Sequence, residues 1–355
     1  MLYKEDWEKA KKRMAAFWNR QVLDRPCIQI EVPPKKIPEI KKPADVALQW
    51  TDIEYRLESA EAQMKATFFA GESFPFFDTQ MAANFMSAYA GANLEFHEET
   101  VWTIPFLEDY AQLAISPFNP GNPWWLKLKA LTEAAVAHGK GKFLVAPTDL
   151  TAGGTGISLI RGSERFCLDL IERPGEVKRA LADFTRLWLD VFSLQGRLIS
   201  QGGIEGTTCW LYAWSPGRYH ALQDDIICMV SSPMFREFFL PEIAAMARWL
   251  DHSLFHLDGP GAVQHLDDLL AIPELTGIQW SPGDGAKPTL EWVPMLQKIQ
   301  AAGKCLWVWC EARNLEKLLS YLKPEGLMVR VPAHRECVSV EEANALLRMA
   351  TRKCK

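Results

Sequence analysis

The sequence predicts a parallel α/β protein, a single eight-stranded (β/α) barrel of the TIM type. Three observations carry this. From residue 123 onward, apolar runs of four to seven residues alternate with amphipathic stretches of ten or more, the pattern of βαβ units. Counting a strand at Cys27–Val32, or one near Phe74–Phe77, brings the number to about eight, at which such a sheet closes. No Gly-x-Gly-x-x-Gly turn follows any of these runs, as an open dinucleotide-binding sheet would require. Thr151-Ala-Gly-Gly-Thr-Gly156 comes near it but lacks the spacing and the acidic partner further on.

The elements follow in order. Tyr3 to Gln21 reads as an amphipathic helix with Trp7, Ala10 and Met14 on one face. Cys27–Val32 alternates as a strand and stops at Pro33-Pro34, and 44–67 is a long helical pattern. Residues 71–122, irregular and rich in Phe, Gly and Pro, are expected to form a cap. The whole chain, 1–355, is thus one domain, with 1–122 as a helical extension and cap and 123–355 as the regular beat. Within that beat the strands are expected at 142–146, 207–213, 253–257, 277–280, 305–309 and 327–331, with a further one at 225–230. Helices of ten or more residues separate most of them.

Composition narrows the function classes. Hydrophobic residues at 48% and charged residues at 23% describe a globular chain with ample core material. The net charge of −5 offers no electrostatic footprint for nucleic acid, and no apolar run is long enough for a membrane. Eight cysteines without a Cys-x-x-Cys pair read as reduced thiols of a cytoplasmic protein. Fourteen tryptophans mainly fill core, and several near strand ends would also suit a pocket for a small-molecule substrate.

In parallel α/β proteins, chemistry gathers at the carboxyl ends of the strands. The richest such end is Ser253-Leu-Phe-His256-Leu-Asp258-Gly-Pro-Gly261. The two-residue spacing puts His256 and Asp258 on one face, and the Gly-Pro-Gly run ends the strand there. Together they are candidates for metal binding or acid–base work; otherwise His256 is core and Asp258 caps the next helix. Asp149, after Pro147-Thr148, is a third catalytic candidate, with a turn cap as its alternative. Trp214, Arg218, Trp280 and Glu311 are candidate substrate-binding residues, and His334 a further metal ligand, each placed at a strand end by this assignment. Asp224 and Asp225 fall at the start of a strand in the same assignment.

Phe255-His-Leu-Asp-Gly-Pro-Gly-Ala262, Ile272 to Trp280, Asp224-Asp-Ile226, Ser232 to Glu242 and Ser339 to Leu347 together resemble the uroporphyrinogen decarboxylase-like superfamily, over roughly residues 123–352. The resemblance implies a (β/α) barrel. It also implies one of two kinds of enzyme: a true uroporphyrinogen decarboxylase, or a zinc-dependent methyltransferase working with a corrinoid (cobalamin) protein. The arginine-rich amino-terminal motif of the decarboxylases has no counterpart here, which points to the methyltransferase branch. There the zinc ligands are His-x-Cys at one strand end and a later Cys. Here the first pair is His256-Leu-Asp258, and the last position falls near Ala333-His334, with Cys337 at a looser spacing. A His/Asp/His set would make zinc a harder Lewis acid than a thiolate site does. The expected function is methyl transfer from a small methylated compound, with a corrinoid protein as partner and a homodimer as the expected assembly. A decarboxylase or lyase of a small carboxylic acid is the alternative, and a non-catalytic ligand- or corrinoid-binding barrel the third reading.

Overall fold

A computed structural model describes residues 1–34, 40–80, 84–283, 285–336 and 338–354, and only the backbone of 334 and 335. Its central sheet has seven strands. Cys27–Val32 (β1) lies beside Phe68–Gly71 (β2), which runs antiparallel to it. Phe76–Asp78 (β3) pairs in parallel with Leu144–Ala146 (β6) in a separate ladder. Between them in sequence come a hairpin of Asn93–Phe96 (β4) and Val101–Ile104 (β5). Thr207–Thr208 (β7) and Trp214–Ser215 (β8) make a second small hairpin. Tyr219–Gln223 (β9), His252–Asp258 (β10), Gly277–Ser281 (β11), Cys305–Trp309 (β12) and Leu327–Val331 (β13) complete the sheet, in the order β2-β1-β13-β12-β11-β10-β9. All its pairings except β1 with β2 are parallel.

The two faces of the sheet carry separate cores, as alternation along a strand requires. Ile28, Ile30, Phe255, Leu257, Ile278, Trp280, Val308 and Val329 join one cluster with the long helices. The longest of these, Pro174–Gln201, presents Val177, Leu181, Phe184, Trp188 and Val191 at helical spacing. Cys27, Tyr219, Leu254, Cys305, Trp307 and Met328 join the other cluster, with Trp7, Met14, Phe17 and Trp18 of the first helix. The last helix, Val340–Lys353, starts with a reciprocal cap between Ser339 and Glu342.

Three expectations need correction. The stretch 207–213 is not a sheet strand: Gly206 and Tyr212 both sit at positive φ (73° and 58°), so the chain doubles back as the β7–β8 hairpin. The sheet strand is instead Tyr219–Gln223, and 225–229 forms a 3₁₀ turn, not a strand. The segment before 123 is more than an extension and cap, because β1 pairs with β13 from Cys27↔Met328 to Ile30↔Val331. Among the described residues no helix is long and apolar enough to cross a membrane.

A buried carboxylate ties the amino-terminal segment to this sheet. Glu72, fully buried, accepts from Arg25 Nη1 (2.6 Å) and Nη2 (2.9 Å), Arg13 Nη1 (3.2 Å) and the Ile28 N–H (2.8 Å). Removing it strands a buried guanidinium, a change that costs about 3–5 kcal/mol. Glu72→Ala should lower the unfolding free energy measured in urea by that amount, far more than truncation of the exposed Glu8.

Candidate functional site

β10 carries His256 and Asp258 on the face that also bears Leu254. Its register sets His256 opposite Gln223 of β9 and Gln279 of β11. Gln279 is buried, and its side-chain oxygen meets His256 Nδ1 in a short hydrogen bond. An amide oxygen only accepts, so Nδ1 donates to it, and among the described residues Nε2 makes no hydrogen bond. The Trp210 ring stands edge-on to the imidazole with centroids 5.1 Å apart, fixing its tilt. Asp258 precedes the turn of helix at Gly259–Ala262 but makes no side-chain capping bond to it. The cap reading of this aspartate is therefore not what its carboxylate does.

The third member of the group is Asp225, in the first turn after β9. Ligand atoms of Asp225, His256 and Asp258 all lie within 4.8 Å of one another. Among the described residues nothing hydrogen-bonds to either carboxylate. The Asp225 side chain reaches solvent, yet the surrounding wall strips enough hydration to raise its pKa. Asp258 raises it further, and His256 acts against both.

Behind this trio stands a wall of further acids. Asp149, just beyond β6, is 6% exposed and accepts from Gln223 Nε2 at 3.2 and 3.1 Å. Burial pushes its pKa up to about 7, and the charges of Asp78 and Asp225 add to the shift. Gln223 opposes it, as more weakly does the Trp210 indole, which lies nearby outside hydrogen-bond geometry. Asp78, at the end of β3, is raised to about 6, again chiefly by burial. Opposite, Arg330 of β13 is held by Glu31 in a two-pronged pair (3.1 and 2.9 Å) and lies 3.5 Å from the centre of the Tyr212 ring.

The remaining expected residues lie elsewhere. Arg218 precedes β9, at the strand end opposite Asp225, and its guanidinium pairs with Asp251 at 3.0 Å. Trp214 is in β8, buried against Trp7, with its indole N–H on the Glu205 carbonyl (2.9 Å). Trp280 neighbours Gln279 on β11 and so faces the other side, fully buried, 4.8 Å from Trp292. Arg218 and Trp214 leave the strand end because the chain turns back at 207–215, whereas Trp280 does lie at the carboxyl end of β11 and only faces away from His256. Glu311 does follow the end of β12, where it holds Arg313 (2.7 Å) and Asn314 (2.9 Å) and lines a cavity of about 720 Å³ with Trp309 and Lys287. A second cavity, about 640 Å³, is bounded by Asp78, Tyr212, Phe76 and Glu31. The side chain of His334, and Cys337 altogether, lie outside the described residues. Asp225, Gln223, Gln279 and Asp78 are site residues to which the sequence reading gives no role; the signal for Asp225 is the acidic pair Asp224-Asp225 that follows Tyr219–Gln223.

No protein-family model matches this chain, and no curated protein sequence is similar to it. Among solved structures, a methyltransferase from Methanosarcina mazei superposes with a TM-score of 0.64, covering 97% of this chain and 98% of that one, at 12% identity. The likeness is one of fold.

The state of Asp149 can be read from stability. Its folded pKa of about 7 lies above the ordinary carboxylate value, so between about pH 4 and 7 the folded protein holds a proton that the unfolded chain has released. Wild-type stability should therefore fall as pH rises through that window and level off above it. Asp149→Asn lacks the titration. Its stability relative to wild type should rise from pH 5 to pH 8, by at most about 3 kcal/mol in urea denaturation. An unchanged difference would place an ordinary, ionised carboxylate at 149.

Proposed function

We propose that this chain is a methyltransferase of a corrinoid-linked system, built on an eight-stranded (β/α) barrel with a divalent ion, zinc in the first instance, held by Asp225, His256 and Asp258. The observation that carries the metal is the convergence of these three side chains, with no hydrogen bond at His256 Nε2 among the described residues. The donor set fits: a neutral imidazole and two carboxylates suit zinc and other borderline divalent ions, and a buried partner on the far ring nitrogen is the usual support of a metal-binding histidine. Asp225 joins the two ligands expected from the sequence, and His334, whose side chain lies outside the described residues, stays a further candidate ligand. Barrel closure is supported by the eight parallel strands in chain order and by the bonds between the β6 and β9 ends, Ala152 N–H to Gln223 O (3.1 Å) and His220 Nε2 with Thr148 O (3.1 Å). The fold shared with the methyltransferase from Methanosarcina mazei supports the reaction class.

When bound, the ion would act as a Lewis acid on the group that gives or receives the methyl. The chain's own part is orientation and proton handling. Gln279 keeps the His256 proton on Nδ1, Trp210 keeps the ring upright, and Asp149 stands ready to exchange a proton near neutrality. The substrate would be a small methylated compound, and the methyl acceptor a corrinoid on a separate protein.

Asp149 also favours a second reading, a decarboxylase or lyase of a small carboxylic acid. A buried acid titrating near pH 7 is what protonation at carbon or oxygen requires.

Elemental analysis of untagged protein, joined to a methylcobalamin turnover assay, separates the two. The expected result is close to one equivalent of metal, loss of turnover in chelator, and loss of both in His256→Ala and Asp258→Ala with thermal midpoints shifted by only a few degrees. Less than about a tenth of an equivalent with full activity in EDTA would remove the metal and leave the acid–base reading.

A further inference from the structure

The glycine-rich segment Thr151–Gly156 resembles a phosphate-binding turn in sequence, yet the protein's own carboxylates fill the place of the phosphate. The nine-residue helix Gly153–Arg161 begins there, with its first N–H groups free of intrahelical partners. Gly153 N–H donates to Glu242 Oε2 (2.9 Å), Gly154 N–H to Glu242 Oε1 (3.2 Å) and Thr155 N–H to Asp224 Oδ1 (2.7 Å). A Cβ at 153 would stand 2.6 Å from Glu242 Oε2, and one at 154 would stand 2.5 Å from Asp224 Oδ2. Glycine at both positions is what lets two buried acids seat on the helix start. This end is saturated from within and leaves no room for an external anion.

The Thr155 hydroxyl does something further. It donates to Asp224 Oδ1 at 2.9 Å and accepts the main-chain N–H of Asp225 at 2.7 Å. Asp225 opens the 3₁₀ turn 225–229, so that N–H has no partner within the turn. Its carboxylate has no hydrogen bond from the described residues, so main-chain placement alone aims it. On the other side, Gln223 ends β9 opposite His256. The short path from Gln223 to Asp225 is thus pinned at the β9 ladder and at Thr155.

We propose that Thr155 is a positioning residue: its hydroxyl holds the main chain at Asp225 so that the carboxylate meets His256 and Asp258, and it thereby sets the affinity of the cluster for a divalent ion. The inference rests on the reading of that cluster as a metal site. Hydrogen bonds that orient a metal ligand without touching the metal typically govern metal affinity by about 10–100-fold.

The test titrates the chelator-stripped full chain with Co²⁺, followed by its visible absorption, in wild type, Thr155→Ser, Thr155→Val and Thr185→Val. Thr185 is a half-buried threonine whose hydroxyl donates to the Leu181 carbonyl (2.9 Å) within the helix Pro174–Gln201, and controls for mere loss of a hydroxyl. The expected result is a Kd raised about 10–100-fold in Thr155→Val and nearly unchanged in Thr155→Ser and Thr185→Val, all measured well below their melting temperatures. Should Thr155→Val not fold, Thr155→Ala lacks the same hydroxyl without the added methyl and is held to the same expectation. Wild-type affinity in the variant lacking the hydroxyl would overturn the proposal while leaving the metal site standing. Absence of Co²⁺ binding in wild type would remove the metal reading and this inference together.

Discussion

A strand buried on both faces must find partners for every polar side chain it turns inward, and this constraint organises the carboxyl end of the sheet. Gln29, Gln223, His256, Gln279 and Arg330 sit on five different strands, and all but His256 are almost fully buried. None can be left unpaired without a penalty of a few kcal/mol. Gln279 is answered by His256, Gln223 by Asp149, Arg330 by Glu31, and the Gln29 amide by the Tyr212 carbonyl. Each answer also fixes a group at the carboxyl end of the sheet. The ring tautomer of His256, the placement of Asp149 and the positive φ of Tyr212 all belong to this one set of obligations. The lower part of the same face solves the problem differently, by being apolar, with Leu254, Trp307 and Met328.

Much of this was legible in the residues. Cys305–Trp309 and Leu327–Val331 appear with the bounds that their apolar runs predict, because nothing in them competes with a strand. His256 and Asp258 share a face as their spacing requires, and Gly-Pro-Gly stops the strand where a side-chain pair can reach outward. The miss at 207–213 has a physical cause. Its threonines and aromatics favour extended chain, but conformational freedom at Gly206 and a left-handed Tyr212 turn the segment back on itself. Tyr219–Gln223 carries two polar side chains through a fully buried strand. His220 Nε2 and Gln223 Nε2 find their partners in Thr148 and Asp149, residues far away in sequence, while His220 Nδ1 meets the Ala221 carbonyl. Once that strand moves, Asp225 moves with it, from the start of a strand to the far side of one. The side of β11 that faces the mouth was not written in β11 at all: Gln279, not Trp280, looks inward because the register with β10 says so.

The charge pattern of the mouth is as informative as its geometry. Asp78, Asp149, Asp225 and Asp258 converge while the nearby guanidinium of Arg330 is committed to Glu31 and to the face of Tyr212. Arg56 likewise spends its N–H groups on the carbonyls of Trp50, Asp78 and Gln80. Acids set together must either share protons or attract positive charge from outside. Both answers agree with the metal and proton roles proposed above.

The pairing of β1 with β13 has a bearing on how the protein is made. The first strand of the chain finds its parallel neighbour only in Leu327–Val331, almost the whole length of the polypeptide away. During synthesis, Cys27–Val32 therefore waits, with one edge paired to β2 at most, until nearly the entire chain has been translated. Contacts of such sequence separation make for slow, late completion of the sheet. An unpaired edge with Ile28 and Ile30 beside it is also a surface on which nascent chains associate wrongly. Late completion of the sheet is thus written into the topology itself, apart from the chemistry of its carboxyl end.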